Sequence, residues 1–479
     1  MNYAADIMFI FVSLCVYVLS VWMVYQSTRT KSLLTPAYFF IFLFSILYYP
    51  GGMYLFLTNG KSAFVSSGAR NYSFYFAVNF SLLFLSAGVF AANRLFKFSA
   101  GTELENFRKK EWKNILTGTP FYVALGILTF ISLLATYIYI RSRGEIPLIE
   151  AVKLFGSKGS YERTISNRLL FTTYGGGGGT YYYQGYFAQF YMILLPFIFL
   201  LSAVMALKNK SKNWLLFSAF IFIITSFALM SSIARWPILV FISYIFIMYQ
   251  LYYGRITWKM FLTYTAVSLL IFTFITILRI GGEDVVKPAP APGLKSVESV
   301  KTPVVVEEKR MGLLDSVFQR IIAAQINVIY SEFELFPRKY DYKLGITILR
   351  DFRDVLPGPD YSFSAWLYTK MFTNDKQYFG SGSAPSGYLG ELYANFGLAG
   401  VFLGMFILGI ILQWNYIFII RSSKTLFGLA TFPIIIFALG WSTIGGIVTI
   451  LFQMGIVTML LCNLCFIAFF KIWNFFYFT

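Results

Sequence analysis

Apolar runs of nearly twenty residues recur along this chain from end to end, and they limit its fold more than any other feature. Each is long enough to cross a bilayer core of about 30 Å at 1.5 Å per residue. Lipid offers backbone groups no hydrogen-bond partner, so such a run must be a helix or belong to a closed barrel. Barrel strands need about ten alternating residues each, and the run 261–278 does not alternate. Only 13% of the 479 residues are charged, half the roughly 25% of a soluble domain. The pattern predicts an all-α polytopic membrane protein of about eleven transmembrane helices. They fall at 7–25, 36–57, 72–92, 121–140, 188–206, 213–231, 236–252, 259–278, 394–420, 426–444 and 449–472. The first run resembles a signal-peptide core, but no Lys or Arg precedes it and no convincing cleavage site follows, so it reads as a retained helix.

The formal charge of +18 marks no nucleic-acid surface, because Lys and Arg sit between the apolar runs and form no basic domain. Their distribution instead sets an orientation. With the N-terminus outside, inner loops hold sixteen Lys and Arg and short outer loops three, Lys61, Arg70 and Arg235. Such an excess marks the cytoplasmic side, and long loops are largely exempt. The C-terminus is then inside, and two long segments, 141–187 and 279–393, face outward. The organisation expected is helices 1–8 over 1–278 with an outer loop at 141–187, an extracytoplasmic loop subdomain over 279–393, and helices 9–11 over 394–479. Residues 287–309, rich in Pro, Val and charge, read as a flexible strap; beyond Met311 the spacing of Leu313, Val317, Ile321 and Ile322 is helical.

Several motifs suggest less than their letters do. Cys462 and Cys465 have redox or metal spacing, yet an apolar helix makes a thiolate costly, so they and Cys15 read as core residues. With no histidine and no second Cys pair, a zinc site is not expected. Gly175–Gly179 lacks the Lys-Ser/Thr ending of a phosphate-cradling loop. No metal and no cofactor is expected. Arg350, Asp351, Arg353 and Asp354 read as a mutually paired surface cluster.

Ionisable residues near membrane depth point to function. Arg235, in Ser231-Ser232-Ile233-Ala234-Arg235-Trp236-Pro237, sits in a tight hairpin between the sixth and seventh helices. Arg279 closes the eighth, and Arg141 and Arg143 leave the fourth, all at the outer face. Permanently charged guanidiniums match phosphate oxygens, so a phosphate or pyrophosphate site is expected if the bundle joins these helix ends; snorkelling at the interface is the plain alternative. The other signal is Ser381 to Gly400, a Gly- and Ser-rich loop running into a helix near Gly387. Glu391 and Asn395 share a face there, with Tyr388 one turn before. The acid is expected either to pair with Arg or to take a proton.

Gly390-Glu391-Leu392-Tyr393-Ala394-Asn395-Phe396-Gly397-Leu398-Ala399-Gly400 opening a late helix, in a histidine-free aromatic-rich bundle with a long outer loop, resembles the Wzy-type polymerases of bacterial O-antigen and capsule repeat units. Gly144-Glu145-Ile146-Pro147 is similar to that family too. The resemblance is specific over 381–405 and architectural elsewhere. It implies a GT-C-like glycosyltransferase bundle in the bacterial inner membrane, working at its periplasmic face without metal or nucleotide. The partners implied are an undecaprenyl-pyrophosphate-linked oligosaccharide, membrane lipids and a polysaccharide chain-length regulator. Arg235 and Arg279 would hold the donor pyrophosphate, helped by Arg141 or Arg143; Glu391 would accept the acceptor hydroxyl's proton; Tyr388, Tyr393 and Asn395 would orient sugar. An O-antigen ligase-like transferase, expected to use an outer-loop histidine, and a lipid-linked oligosaccharide flippase are the alternatives.

Overall fold

The computed structural model describes residues 3–29, 35–58, 71–113, 118–142, 144–155, 184–253, 258–280, 324–353, 363–372 and 384–478. Among them there is no β-strand, and eleven helices are long and apolar enough to cross a membrane. The chain is an all-α polytopic membrane protein.

Helix α1 (Tyr3–Thr28) is followed by α2 (Pro36–Leu47) and α3 (Tyr49–Leu57), one span broken at Tyr48. Pro50 sits in the first turn of α3, where its missing donor costs least. Helix α4 (Tyr72–Leu95) is capped by Asn71, whose side chain accepts from the Phe74 amide. A short helix, α5 (Ala100–Lys109), precedes α6 (Thr119–Ser142) and α7 (Pro147–Lys153). Helix α8 (Gln184–Gln189) passes through a π turn at Phe190–Leu194 into α9 (Leu195–Asn209); Pro196 cannot donate to that turn, a common cause of such a bulge. Then come α10 (Lys212–Met230), α11 (Arg235–Tyr253) and α12 (Trp258–Ile280). Three short helices follow, α13 (Ala324–Leu335), α14 (Ile346–Arg353) and α15 (Phe363–Phe372). Last are α16 (Gly387–Arg421), α17 (Leu426–Gly440) and α18 (Ile456–Phe478).

Two cores result. One gathers α6, α9, α10, α11 and α17 around Phe197, Phe241 and Tyr244. The other gathers α2, α4, α13 and α16 around Phe44, Phe74, Tyr330 and Leu408. They meet where Phe39 of α2 packs on Phe437 of α17, ring centroids 5.2 Å apart.

The tightest packing joins α4 to α16. Gly88 lies against the Phe406 carbonyl and Gly409 against the Leu85 carbonyl, so close that a Cβ at either would collide with backbone. Small residues allow this approach, and with it the dispersion contacts that hold helices together in lipid. Polar groups add to it: Gln413 donates to Asn93 Oδ1 at 2.6 Å, and Asn93 donates to the Ser27 carbonyl at 2.7 Å, tying α16, α4 and α1. At the far end of α16 the Arg421 guanidinium holds Glu103 of α5, both contacts at 2.7 Å.

The structure refines several expectations. Helix α16 starts at Gly387, where the Gly- and Ser-rich loop was expected to enter a helix, earlier than the span expected from 394, and a break falls inside it: Gly397 is at φ 65°, ψ −158°, a conformation open only to glycine. Helix α18 begins at Ile456, since Thr449–Gln453 forms a π turn before it. Where residues 279–393 are described, they pack on the bundle: Ile326, Ile329, Tyr330 and Phe333 of α13 belong to the same core as α4 and α16. Cys462 is buried, but Cys15 and Cys465 face outward and are not core residues. The strap at 287–309, the pattern at 313–322 and Gly175–Gly179 lie outside the described residues.

Gly409→Leu forces α4 and α16 apart, and overpacking of this kind costs about 1–3 kcal/mol or more. The expected outcome is a lower unfolding midpoint in detergent, while Gly101→Ala, with nothing within 4 Å of the added carbon, leaves it unchanged or slightly raised. Equal midpoints for the two variants would contradict the packing described.

Candidate functional site

The first two turns of α16 carry four of the candidate residues, and all four are buried. Glu391, 2% exposed, accepts a hydrogen bond from the Ile447 amide at 3.0 Å; its other oxygen has no partner. The carboxylate lies against Gly446, where a Cβ would strike it. Beside it sits an acid that sequence reasoning missed. Glu332 of α13 is 0% exposed, and neither of its oxygens has a hydrogen-bond partner. It occupies the space a Cβ at Gly390 would need. The signal was present: Glu332 is three residues after Ile329 and four before Phe336, a core position of an apolar helix face, and an acid there demands an explanation.

Burial holds the Glu332 carboxyl well above the usual carboxylate range; the nearby Ser386 hydroxyl opposes this and the charge of Glu391 adds to it. Ser386 itself donates to the Gly387 carbonyl. Tyr48, at the break between α2 and α3, completes the surroundings, its hydroxyl donating to the Thr443 carbonyl. Two carboxyls near one another in an apolar site oppose each other's ionisation. Such a pair is suited to receiving a proton from a substrate hydroxyl.

The other three residues of α16 are engaged in the fold. Asn395 donates to Thr347 Oγ1 at 2.6 Å and to the Glu391 carbonyl at 2.7 Å, and accepts from the Gly345 amide at 2.9 Å. Tyr393 stacks on Phe333 with centroids 3.5 Å apart and donates to the Phe336 carbonyl at 3.2 Å. Tyr388 is buried with its hydroxyl 3.4 Å from the Gly404 carbonyl. Tyr393 and Asn395, expected to orient sugar, clasp the segment 333–347 to α16.

Among the arginine-bearing helix ends, the side chains of Arg235 and Arg141 are described. Arg235 opens α11 with its guanidinium 4.5 Å from the centre of the Phe272 ring on α12. The Leu148 amide donates to the Ser231 carbonyl at 3.1 Å, so the segment leaving α6 docks on the turn between α10 and α11; α7 also touches α12. Helices α11 and α12 thus meet at one corner beside Arg235, and α7, which follows α6 and its exposed Arg141, packs against it. Arg143 and the side chain of Arg279 lie outside the described residues.

The corner and the carboxyl pair are not in direct contact. Glu391 has no cation partner among the described residues. What connects them is the chain after α17: Trp441 stacks on Trp236, beside Arg235, at 5.7 Å between ring centroids. A few residues on, that chain meets Tyr48 at Thr443 and Glu391 at Gly446 and Ile447. One crevice lies near Phe9, Tyr49 and Asn79 and another beneath Trp236 and Met454, and neither is lined by Glu391 or Arg235. No group of three His, Cys, Asp or Glu gathers among the described residues.

Two outcomes follow from this geometry. Asn395→Ala leaves the Gly345 amide and the Thr347 hydroxyl without their partner, at about 1–3 kcal/mol for a buried group; hydrogen exchange is expected to speed up at 343–347 before it does in α4. Glu332 has a raised value in the folded chain, so its stabilising share is complete below 4.5, the ordinary value, and is lost as pH rises through the folded value. The unfolding midpoint of Glu332→Gln should therefore gain on that of wild type as pH rises from 4.5, and a pH-independent difference would rule out a charge penalty at Glu332.

No protein-family model matches this chain, and neither a curated protein nor a solved structure was found to match it.

Proposed function

We propose that this chain is a polysaccharide polymerase of the bacterial inner membrane, a metal-independent GT-C-type glycosyltransferase acting at the periplasmic face. It joins oligosaccharide repeat units carried on undecaprenyl pyrophosphate into O-antigen or capsular polymer, with the N-terminus outside and the C-terminus in the cytoplasm. The observation that carries the reading is the one stretch of chain, Trp441 to Ile447, packed at one end beside Arg235 and hydrogen-bonded at the other to the buried Glu391. The motif around Glu391 and the excess of Lys and Arg in the inner loops support it.

In this reaction the acceptor sugar's hydroxyl oxygen attacks the anomeric carbon at the reducing end of the donor chain. A new glycosidic C–O bond forms as the bond between that carbon and the pyrophosphate oxygen breaks. The hydroxyl proton passes to Glu391. The pyrophosphate leaves on its lipid, its growing negative charge met by Arg235 and Arg279, with Arg141 or Arg143 beside them. Glu332 stays protonated beside Glu391 and limits the negative charge in the pocket. A chain-length regulator is a partner consistent with such a product.

A second reading, a proton-coupled carrier of lipid-linked oligosaccharide, is favoured by one observation: a buried carboxyl pair without a cation is also how proton relays are built in transporters. Purified protein incubated with synthetic lipid-pyrophosphate repeat units separates the two. A polymerase yields a ladder of products; a carrier yields none but moves the glycolipid across a vesicle. With a ladder in hand, Glu391→Gln is expected to slow elongation by about 10²-fold or more, and Arg235→Ala to abolish it while the protein stays monodisperse. Wild-type rates in both variants would remove these assignments.

A further inference from the structure

Helix α14 carries a surface that no soluble loop would keep. Ile346 and Leu349 are 48% and 69% exposed, and Leu344, just before the helix, is 75% exposed. Ile346, Leu349, Arg350 and Arg353 are spaced i, i+3, i+4 and i+7, one helix face, and both arginines are exposed. The opposite face is fixed to the protein: Thr347 receives the Asn395 amide, and Asp351 accepts from the Phe363 amide at 3.4 Å.

The apolar side chains are held in place. The Lys343 and Leu344 amides donate to the Ala394 and Asn395 carbonyls, each at 3.0 Å, and the Gly345 amide to the Asn395 side chain. Leu344 is at φ 48°, a left-handed conformation that strains a residue with a Cβ. The chain accepts this strain at a residue whose large apolar side chain then points away from the protein.

The position of this face identifies what covers it. It adjoins Phe396, whose ring lies next to Gly345. From Phe396 the outward side of α16 continues through Leu403, Ile407, Trp414 and Phe418, all exposed. Phe396 to Phe418 spans about 33 Å at 1.5 Å per residue, the thickness of one hydrocarbon core. Leu344, Ile346 and Leu349 thus extend the lipid-facing surface at one of its edges, with two guanidiniums at the level of phosphates.

We infer that α14 is an interfacial helix: Leu344, Ile346 and Leu349 insert into the adjoining leaflet, and Arg350 and Arg353 bind lipid phosphates. Side chains of this kind sit at the boundary between headgroups and acyl chains. The helix fixes the outer segment, and with it Asn395 and the turn bearing Glu391, at a set depth.

The test uses the full-length chain in lipid nanodiscs with Cys15, Cys462 and Cys465 replaced by Ser. A nitroxide is attached at Leu349→Cys or, as the aqueous reference, at Lys339→Cys. The expected result is a ratio of collisions with oxygen to collisions with a water-soluble nickel chelate several-fold higher at 349 than at 339. Reversal of Arg350 and Arg353 to Glu is expected to lower the ratio at 349. Equal ratios at the two positions would place α14 in water, and a label at 349 shielded from both reagents would mean that protein, a second copy included, covers it. Either result overturns the assignment, as does a ratio at 349 indifferent to charge reversal for its arginine part.

Discussion

The close approach of α4 and α16 is the contact on which the other described features of this half depend. In lipid there is no water to expel from between helices, so packing and interhelical hydrogen bonds must hold them. Gly88 and Gly409 let each backbone press on the other's carbonyls, and Gln413, Asn93 and Ser27 add hydrogen bonds across three helices. Because α16 is pinned in this way, its first two turns present Glu391, Tyr393 and Asn395 at fixed depth and rotation. Helix α13 then packs on them, bringing Glu332.

The buried acids sit in spaces made by missing side chains. Gly390 makes room for Glu332 and Gly446 for Glu391, and only the Ile447 amide answers any of the four oxygens. A carboxylate held there without a cation is expensive, so the site has a strong preference for a proton or for a polar ligand. The arginine corner has the opposite character, with a permanent charge resting on the Phe272 ring. Trp441, stacked on Trp236 next to Arg235, and Ile447, bonded to Glu391, belong to one short stretch of chain.

The outer segment is built on the same economy. Asn395 uses its amide as both donor and acceptor to hold 345–347, and Tyr393 closes on Phe333 and Phe336. These contacts convert what sequence reads as a loop into part of the bundle's core. They also leave one face of α14, with Ile346 and Leu349, exposed.

Membrane embedding, helix number and most helix limits were determined by the sequence alone, because a bilayer demands about twenty apolar residues per crossing whatever the neighbours are. Glu391 was also visible there, as an acid at the mouth of a late apolar helix. Tertiary structure decided what local pattern cannot hold. Whether Asn395 faces a substrate or Gly345 depends on a partner fifty residues away. The place of the Glu332 carboxyl emerges only from the space at Gly390 that it fills. The break at Gly397 was hidden by apolar letters on both sides, since hydropathy reports composition and a backbone kink leaves no trace in it. That α11 and α12 meet beside Arg235 while Trp236 stacks on Trp441 follows from packing between distant segments. Burial patterns along single helices carry no record of which helices become neighbours.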